Sequence, residues 1–432
     1  YNLIHIGNER ALCVFDTLRR YLEFRGYKVL YVQNFTDVDD KIIRKANELG
    51  KTASEVSENA IKEYFVDAQG LNVRKADIHP KVTENMGIII DIVKTLIDKG
   101  YAYEADGDVY FETKKFPEYG KLSHMPLEDL QAGARIEVGE KKRDPMDFAV
   151  WKAAKPGEPY WDSPFGKGRP GWHIECSAMS RHYIGDTIDI HGGGSDLIFP
   201  HHENEIAQSE CATGSPLANI WMHNGMLNVD NKKMSKSAGN FFMVRDLSDK
   251  YGYEPIRFML LSVHYRSQLN YTIEVIESCK AALQRLYTCR DAMERVKSAA
   301  KDGEACAQTL EAVKTARADF IAAMDDDFNT ADGISVLFEL VRKINSALAS
   351  PDVTKGDVAA YSDEFSALTN VLGLLYNKEN DKIPAEVAEL VEQRRAARKA
   401  KDFALADELR DRITALGYTV EETRQGTIVK KA

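Results

Sequence analysis

The sequence has few cysteines and no long hydrophobic run. Its 432 residues contain six cysteines at wide, irregular spacings, unlike the disulfide framework of a small secreted protein, so we predict reduced thiols in the cytoplasm. The most apolar window, residues 86–97, reads "MGIIIDIVKTLI" and is interrupted by Asp91 and Lys94. Because a bilayer needs about 20 apolar residues, we expect no membrane span.

Positive charge is also in deficit, with 57 basic against 67 acidic residues and a net charge of -10. That deficit argues against a uniformly basic nucleic-acid-binding surface, although it allows local patches. One patch is residues 393–401, "QRRAARKAK", in which five of nine residues are Arg or Lys and none is acidic. A phosphate-contacting helix and an ordinary solvated helix face both remain open for it.

The order of predicted elements indicates an α/β domain followed by helices. Apolar spacing predicts a helix over residues 9–24, ended by Gly26, and a strand over residues 28–34. We expect Thr36 or Asp37 to cap the next helix, and Asp106-Gly107 to form a hairpin turn. After residue 255 the pattern is mostly helical, with breaks near residues 302–304 and 350–356, and it becomes strand-like after residue 417.

Two short motifs are suited to binding phosphate. In "HIGN", residues 5–8, His5, Asn8 and the amides of a helix start can contact phosphate oxygens, and Gly7 lets a ligand approach the backbone. In "KMSKS", residues 233–237, Lys233 and Lys236 flank small hydroxyls and can neutralise the charge of a leaving pyrophosphate. A simple helix cap and a solvated lysine loop are the alternatives.

A third stretch, "FPHHENEIAQSEC" at residues 199–211, offers metal ligands. A helix that starts near Pro200 places His201 and Glu205 on one face. Upstream, "GRPGWHIECSAMS" offers the Cys176 thiolate, and thiolate, imidazole and carboxylate suit zinc. Alternatively the cysteine is a small buried hydrophobe; we favour the zinc site. We expect His202 to be a helix cap and Glu203 a first-turn acid.

Together, HIGN and KMSKS in this order resemble the signatures of class I aminoacyl-tRNA synthetases. With "TDVDDKI", "IDIHGGGSDLIFPHHENEIAQ" and "HYRSQLNYT", they resemble the cysteinyl-tRNA synthetase family over essentially the whole chain. The resemblance implies a ligase that activates L-cysteine with MgATP to cysteinyl-adenylate and transfers it to the 3′ end of tRNA(Cys). It also implies one Zn²⁺ per chain, which selects the cysteine thiolate, and a monomer.

The resemblance assigns roles by position. The catalytic residues would be His5, Asn8, Lys233 and Lys236, with Gly7 and Ser235 also at the ATP; the cysteine pocket would contain Thr36, Trp172 and His191; the zinc ligands would be Cys176, His201 and Glu205. A helix cap, a core aromatic and a buried hydrogen-bonded histidine are the alternatives for the three pocket residues. The resemblance also implies a fourth zinc ligand, a cysteine, a few residues before Tyr1. Cys13 is no obvious substitute, since it is expected to pack in the core.

The same resemblance implies an α/β fold in six segments. They are the first half of a Rossmann-type catalytic domain (1–100, its first strand upstream), an inserted connective subdomain with the hairpin (101–166), the second half of the catalytic domain with the zinc site and KMSKS loop (167–245), a stem-contact helical region (246–300), an α-helical bundle (301–380) and a small C-terminal anticodon-type module (381–432).

Two other functions remain open. One is a cysteine ligase that makes the same adenylate but transfers cysteine to an amino-sugar; the C-terminal module argues against it. The other is a non-catalytic RNA-binding protein, against which Lys233, Lys236 and the three zinc ligands argue.

Overall fold

The computed structural model describes residues 2–124, 141–234, 239–377, 384–423 and 426–431. The chain divides into two units, the first formed by Tyr1–Lys280 with Ala323–Asp332 and the second by Ala281–Ala322 with Gly333–Ala432. No helix among these described residues is both long enough and apolar enough to cross a membrane.

The first unit is a mixture of helices and short strands. Its elements are α1 (Ile6–Phe24), α2 (Asp40–Leu49), α3 (Ala53–Gly70), α4 (Met86–Asp98), β1 (Ala102–Ala105), β2 (Asp108–Phe111), β3 (Phe148–Ala153), β4 (Gly168–Pro170), α5 (Trp172–Tyr183), β5 (Ile188–Gly194), α6 (Glu203–Thr213), β6 (Ala218–Asn224), β7 (Leu227–Val229), β8 (Lys232–Lys233), α7 (Val244–Tyr251), α8 (Tyr253–Leu261) and β9 (Leu269–Tyr271).

The first predicted helix is confirmed, and Gly26 follows it with a φ of 87°, a left-handed conformation that glycine adopts at little cost. The predicted cap of the next helix is wrong: Asp39, not Thr36 or Asp37, accepts a hydrogen bond from the Ile42 amide at the start of α2. The Asp37 side chain instead accepts one from the Thr83 amide. Tertiary contacts therefore recruit the earlier polar residues away from capping.

The strands belong to separate small sheets. Strands β5 and β6 are parallel, β7 pairs with β9 in parallel and with β8 in antiparallel, and β1–β4 form an antiparallel sheet. The hairpin predicted at Asp106-Gly107 is confirmed, with positive φ at both residues. The strand predicted over residues 28–34 is present only as isolated parallel bridges, Val32 to Ile78 and Phe35 to Lys81.

One apolar core holds α5 and α6, the helices that carry the candidate metal ligands Cys176 and Glu205. Ile174 and Ala178 of α5 and Ala207 of α6 pack in a buried cluster with Ile89 of α4 and Trp151 of β3. Burying such side chains stabilises each by about 1.5–3 kcal/mol, so the positions of α5 and α6 are set by the core rather than by their polar faces.

Helices dominate the second unit. The helical elements after β9 are α9 (Ile273–Ala299), α10 (Ala307–Asp325), α11 (Thr330–Leu348), α12 (Lys355–Leu372), α13 (Ala385–Lys399) and α14 (Phe403–Ala415), and the last strands are β10 (Tyr418–Thr423) and β11 (Gly426–Lys431). The first three of these helices each cross a boundary between the units. The predicted breaks near residues 302–304 and 350–356, and the change to strand after residue 417, are confirmed.

The C-terminal module has its own small core, which includes Val387, Leu390, Leu409 and Ile413. Within the basic run, Arg394 is buried, whereas the other four cations are exposed. The run is therefore partly structural and partly a cationic surface.

Candidate active site and metal centre

The three predicted zinc ligands meet in the structure. The ligand atoms of Cys176, His201 and Glu205 all lie within 4.8 Å of one another. Cys176 comes from α5, whereas His201 lies in an irregular helical turn, Ile198–His202, that precedes α6. The regular helix thus begins at Glu203 rather than near Pro200, but the four-residue spacing still brings His201 and Glu205 together.

Glu205 is fully buried at the centre of this cluster. Its Oε1 lies 2.7 Å from His201 Nε2, and its Oε2 lies 2.8 Å from His191 Nε2. Although these distances are short, neither oxygen has a partner aligned as a hydrogen bond requires, within the described residues. Burial opposes ionisation of Glu205, but the charges that His191 and His201 carry when protonated outweigh it and hold the pKa of that carboxyl well below its usual range.

The donor set fits a zinc ion. Sulfur, imidazole nitrogen and carboxylate oxygen are the usual zinc ligands. A cation among them would also give the Glu205 oxygens the partner that they lack within the described residues. Desolvation raises the pKa of the Cys176 thiol well above its usual value, and Glu205 and Glu175 raise it further. A thiolate at Cys176 therefore needs a neighbouring positive charge such as a metal ion.

Two further histidines orient the cluster, and the sequence analysis missed both. His173 Nδ1 lies 2.8 Å from His201 Nδ1, which leaves His201 Nε2 to face Glu205. His202 Nδ1 lies 2.8 Å from His223 Nε2, so His202 occupies the cap position of α6 without capping it. Hydrogen bonds of this kind fix the ring and tautomer of a metal-binding histidine. The frequency of histidine in these segments was the only signal in the sequence.

Glu203, interpreted from sequence as a first-turn acid, has a different contact. Its Oε1 accepts a hydrogen bond from the Leu122 amide at 2.6 Å. This hydrogen bond ties the start of α6 to the segment that follows β2.

The predicted pocket residues surround the metal-type cluster. Trp172 is 49% exposed, and its ring centroid lies 4.4 Å from that of His201, so it is not a core aromatic. His191 lies within strand β5, which continues to Gly194. Thr36 Oγ1 donates to Glu175 Oε2 at 2.8 Å, and Asn34 Nδ2 donates to Cys176 Sγ at 3.7 Å. The roles of these residues in binding cysteine stay predictions.

The HIGN segment packs against residues that follow KMSKS in the chain. His5 is the residue before α1 and pairs with Met243 in an antiparallel bridge, and its ring centroid lies 4.9 Å from that of Phe241. A Cβ atom at Gly7 would lie 3.1 Å from both Met234 Cε and His5 Nδ1, so a larger residue would have to displace these side chains by a few tenths of an ångström. Asn8 is exposed.

Of the KMSKS residues, Lys233 is exposed in β8. Ser235 and Lys236 lie outside the described residues. The structure thus places the first motif next to Met234 of the second and next to Phe241 and Met243, which follow the second in the chain.

Glu9, just after HIGN, is the other buried acid of this region. It is 0% exposed, and within the described residues neither carboxylate oxygen has a hydrogen-bond partner. Burial, reinforced by the charge of Asp67, raises the pKa of Glu9 to about 8. Cys13, one turn further along α1, is fully buried as predicted, and burial raises the pKa of its thiol to about 12.

Known families match the chain from end to end. Residues 1–281 match the profile described as tRNA synthetases class I (C) catalytic domain, residues 319–376 match the DALR domain, and residues 380–428 match the cysteinyl-tRNA ligase anticodon binding domain. A cysteine–tRNA ligase of Geobacillus thermodenitrificans is 56% identical over the whole of this chain and 92% of its own length. The chain belongs to the cysteine–tRNA ligase family. Another member, from Caldicellulosiruptor saccharolyticus, is 54% identical over all of this chain and 93% of its own.

Solved structures agree with the family's fold. A Mycobacterium tuberculosis methionyl-tRNA synthetase bound by methionyl-adenylate has a TM-score of 0.59 at 14% identity, covering 86% of this chain and 87% of that one. A leucyl-tRNA synthetase of Agrobacterium radiobacter has a TM-score of 0.61 at 11% identity, covering 86% and 82%. The predicted class I synthetase fold, with helical regions after the catalytic domain, is confirmed, and so is the prediction of an aminoacyl-tRNA synthetase ligase. The boundaries of the six predicted segments stay predictions.

Proposed function

We propose that this member of the family is a cysteine–tRNA ligase that selects cysteine with zinc and works through cysteinyl-adenylate. The observation that carries the proposal is the convergence of Cys176, His201 and Glu205 within 4.8 Å, in a chain whose HIGN segment lies next to Met234 of KMSKS. The family membership supports the ligase, and the chemistry of the donor set supports the route by which the amino acid is chosen.

Selection would take place where α5, α6 and β5 meet. When bound by Cys176, His201 and Glu205, Zn²⁺ supplies a soft acceptor that a thiolate ligates far better than a hydroxyl does. The side chains around it would then shape the rest of the pocket. Trp172 covers one side through its contact with His201, and His191 faces Glu205 from β5. Thr36 approaches from the opposite segment and is held by Glu175.

Adenylate formation would use the residues at the start of α1. An oxygen of the cysteine carboxylate attacks the α-phosphorus of MgATP, and the bond to the pyrophosphate oxygen breaks. His5, Gly7 and Asn8 place phosphate oxygens at the positive end of the α1 dipole. Lys233, together with Ser235 and Lys236, would neutralise the charge that develops on pyrophosphate, so acceleration comes from positioning and electrostatics.

Transfer would complete the reaction on tRNA(Cys). A hydroxyl of the terminal adenosine attacks the cysteinyl carbonyl and releases AMP. The match of residues 380–428 to an anticodon binding domain supports contact of the C-terminal module with the tRNA, and the exposed cations Arg395, Arg398 and Lys399 of α13 are suited to phosphates. We propose a monomer that works in the cytoplasm, a compartment in keeping with the six unpaired cysteine thiols of the structure.

The test is amino-acid-dependent exchange of pyrophosphate into ATP, on a protein whose N-terminus has been verified. Exchange with cysteine and not with serine, lost on zinc removal and restored by added zinc, is the expected result. Exchange that is equally fast after zinc removal would contradict the selection mechanism while leaving the ligase intact. The absence of exchange from zinc-loaded protein would contradict the enzyme.

A charging assay then separates the acceptors. We expect acid-precipitable cysteine on tRNA(Cys) and no product with an amino-sugar. Adenylate formation with transfer only to the small amine would favour the amino-sugar ligase, and tRNA binding without adenylate chemistry would favour the RNA-binding protein.

A further inference from the structure

Glu205 belongs to a second group of possible metal ligands besides Cys176 and His201. One ligand atom each of His191, His202 and Glu205 lie within 4.8 Å of one another, the same criterion that Cys176, His201 and Glu205 meet. Only Glu205 is common to the two sets. The second set is formed by β5 and by the residues at the start of α6.

Each oxygen of Glu205 faces a different set. Oε1 lies 2.7 Å from His201 Nε2 of the first set, and Oε2 lies 2.8 Å from His191 Nε2 of the second. Within the described residues, neither His191 Nε2 nor the two oxygens have an aligned hydrogen-bond partner. A carboxylate that gives one oxygen to each of two ions is the usual bridge in paired sites, where ions lie about 3.5–4 Å apart.

A neighbouring histidine also holds His202 of the second set in place. The hydrogen bond between His202 Nδ1 and His223 Nε2, at 2.8 Å, engages one ring nitrogen of His202. The other nitrogen, Nε2, can therefore take an ion while that hydrogen bond is kept. The His191 and His202 ring centroids lie 4.9 Å apart, and both rings contact Trp221. This ordered surrounding distinguishes the set from a surface pair of histidines.

We propose that His191, His202 and Glu205 form a second divalent-cation site, bridged to the first through Glu205. With two imidazoles and one carboxylate, it takes borderline ions such as Zn²⁺, Ni²⁺ and Co²⁺ in preference to Mg²⁺ or Ca²⁺. Because His191 also belongs to the proposed cysteine pocket, an ion in the second site and the amino acid compete for the same space; this consequence and the bridge to the first site rest on the proposed function.

The test titrates the metal-free full-length protein with Co²⁺ alone, without substrates. Cobalt bound to a thiolate gives a sulfur-to-metal charge-transfer band, whereas cobalt held by imidazole and carboxylate gives only d–d absorption. We expect two equivalents to bind the protein. Cys176→Ala should lose the charge-transfer band and keep one equivalent, and His202→Gln should keep the band and lose the other equivalent.

Two more variants keep the result interpretable. His182→Gln removes an exposed histidine of α5 outside the cluster and should retain both equivalents. His223→Gln leaves every ligand in place and should weaken only the second equivalent, by about 10- to 100-fold; it decides the case if thermal melting shows that His202→Gln does not fold. A single equivalent in the unmodified protein, or a second one unchanged in folded His202→Gln or His223→Gln, overturns the proposal. Neither result depends on ligase activity.

Discussion

Glu205 and Glu9 are both fully buried carboxyl groups without an aligned hydrogen-bond partner among the described residues, yet their acidities differ in opposite directions. Burial alone raises the pKa of any carboxyl, and at Glu9 the charge of Asp67 adds to burial, so the pKa rises to about 8. At Glu205 the imidazoles of His191 and His201 reverse the effect of burial.

The difference teaches that neighbours, not depth, decide what a buried acid can do. Glu205 is directed at nitrogen atoms 2.7 and 2.8 Å away and has the character of a ligand. Glu9 has Asp67 as its charged neighbour, so its carboxyl group stays protonated and neutral just after the HIGN turn. The Glu205 region therefore suits a cation, whereas a protonated Glu9 adds no negative charge beside the segment that we propose binds phosphate.

The largest effect should come from exchanging each acid for its amide. Glu205→Gln removes the oxygen charge shared by both ligand sets, so we expect the protein to lose bound zinc altogether, a loss beyond the roughly 100-fold cost of removing a second-shell partner. Glu9→Gln should bind as much zinc as the unmodified protein. Metal content after dialysis against a weak chelator, measured by mass spectrometry, checks both variants.

Two outcomes would contradict the comparison. Full zinc retention in Glu205→Gln would mean that this carboxyl is not a ligand. Loss of zinc in Glu9→Gln, with the fold shown to be intact by circular dichroism, would mean that the two acids are not independent.

The pairing within α6 could be predicted from sequence, because the four-residue spacing of His201 and Glu205 needs only local structure. Cys176 was proposed from its donor type and supported by the family resemblance, because spacing does not reveal the packing of α5 on α6 that brings it to His201 and Glu205. The hairpin, the first helix and the late change to strand were predictable for the same local reason, since turn residues and periodicity carry them.

What escaped prediction depends on distant contacts. His173 and His223 act on residues 28 and 21 positions away, so no local pattern identifies them. The segment over residues 28–34 has the composition of a strand, but its pairing through Ile78 and Lys81 is limited to single bridges. Asp37 resembled a cap and instead accepts from the Thr83 amide.

The next effect concerns the region of Glu9, where exposed cations rather than buried ligands are proposed to act. Lys233→Ala should lower kcat for pyrophosphate exchange by about 10²–10³-fold, about 2.7–4 kcal/mol, if the lysine stabilises charge that appears only in the transition state. Lys232→Ala is the matched control, because both lysines are exposed in β8 and have equal charge. Equal effects of the two substitutions would indicate general electrostatics and not a specific contact.

A different effect, on stability rather than on catalysis, is expected from the pH dependence of the free energy of unfolding. The folded state keeps the Glu9 proton up to about pH 8, whereas an unfolded chain releases it near pH 4.5. Glu9 therefore lowers the free energy of unfolding as the pH rises from about 4.5 to 8, by about 1.4 kcal/mol for each pKa unit that separates the two states.

The variant Glu9→Gln should remove this dependence and become more stable than the unmodified protein at pH 9. Thermal melting from pH 5 to 9 measures it. Glu277→Gln, which removes an exposed carboxylate, should shift the free energy of unfolding by no more than about 0.5 kcal/mol. A Glu9→Gln curve parallel to that of the unmodified protein would place the Glu9 pKa near its ordinary value.

The smallest effect is expected from removing the hydrogen bond that Asn34 donates to the sulfur of Cys176. Asn34 Nδ2 donates to Cys176 Sγ at 3.7 Å, and a donor to a thiolate lowers the energy of the sulfur lone pairs. In the cobalt-loaded protein, Asn34→Ala should therefore move the sulfur-to-metal band to longer wavelength and weaken metal binding by about tenfold. Thr36→Val is the control, because it removes a hydrogen bond to Glu175 from the same segment without touching the sulfur. An unchanged band in Asn34→Ala would confine tuning of the site to the histidines around Glu205.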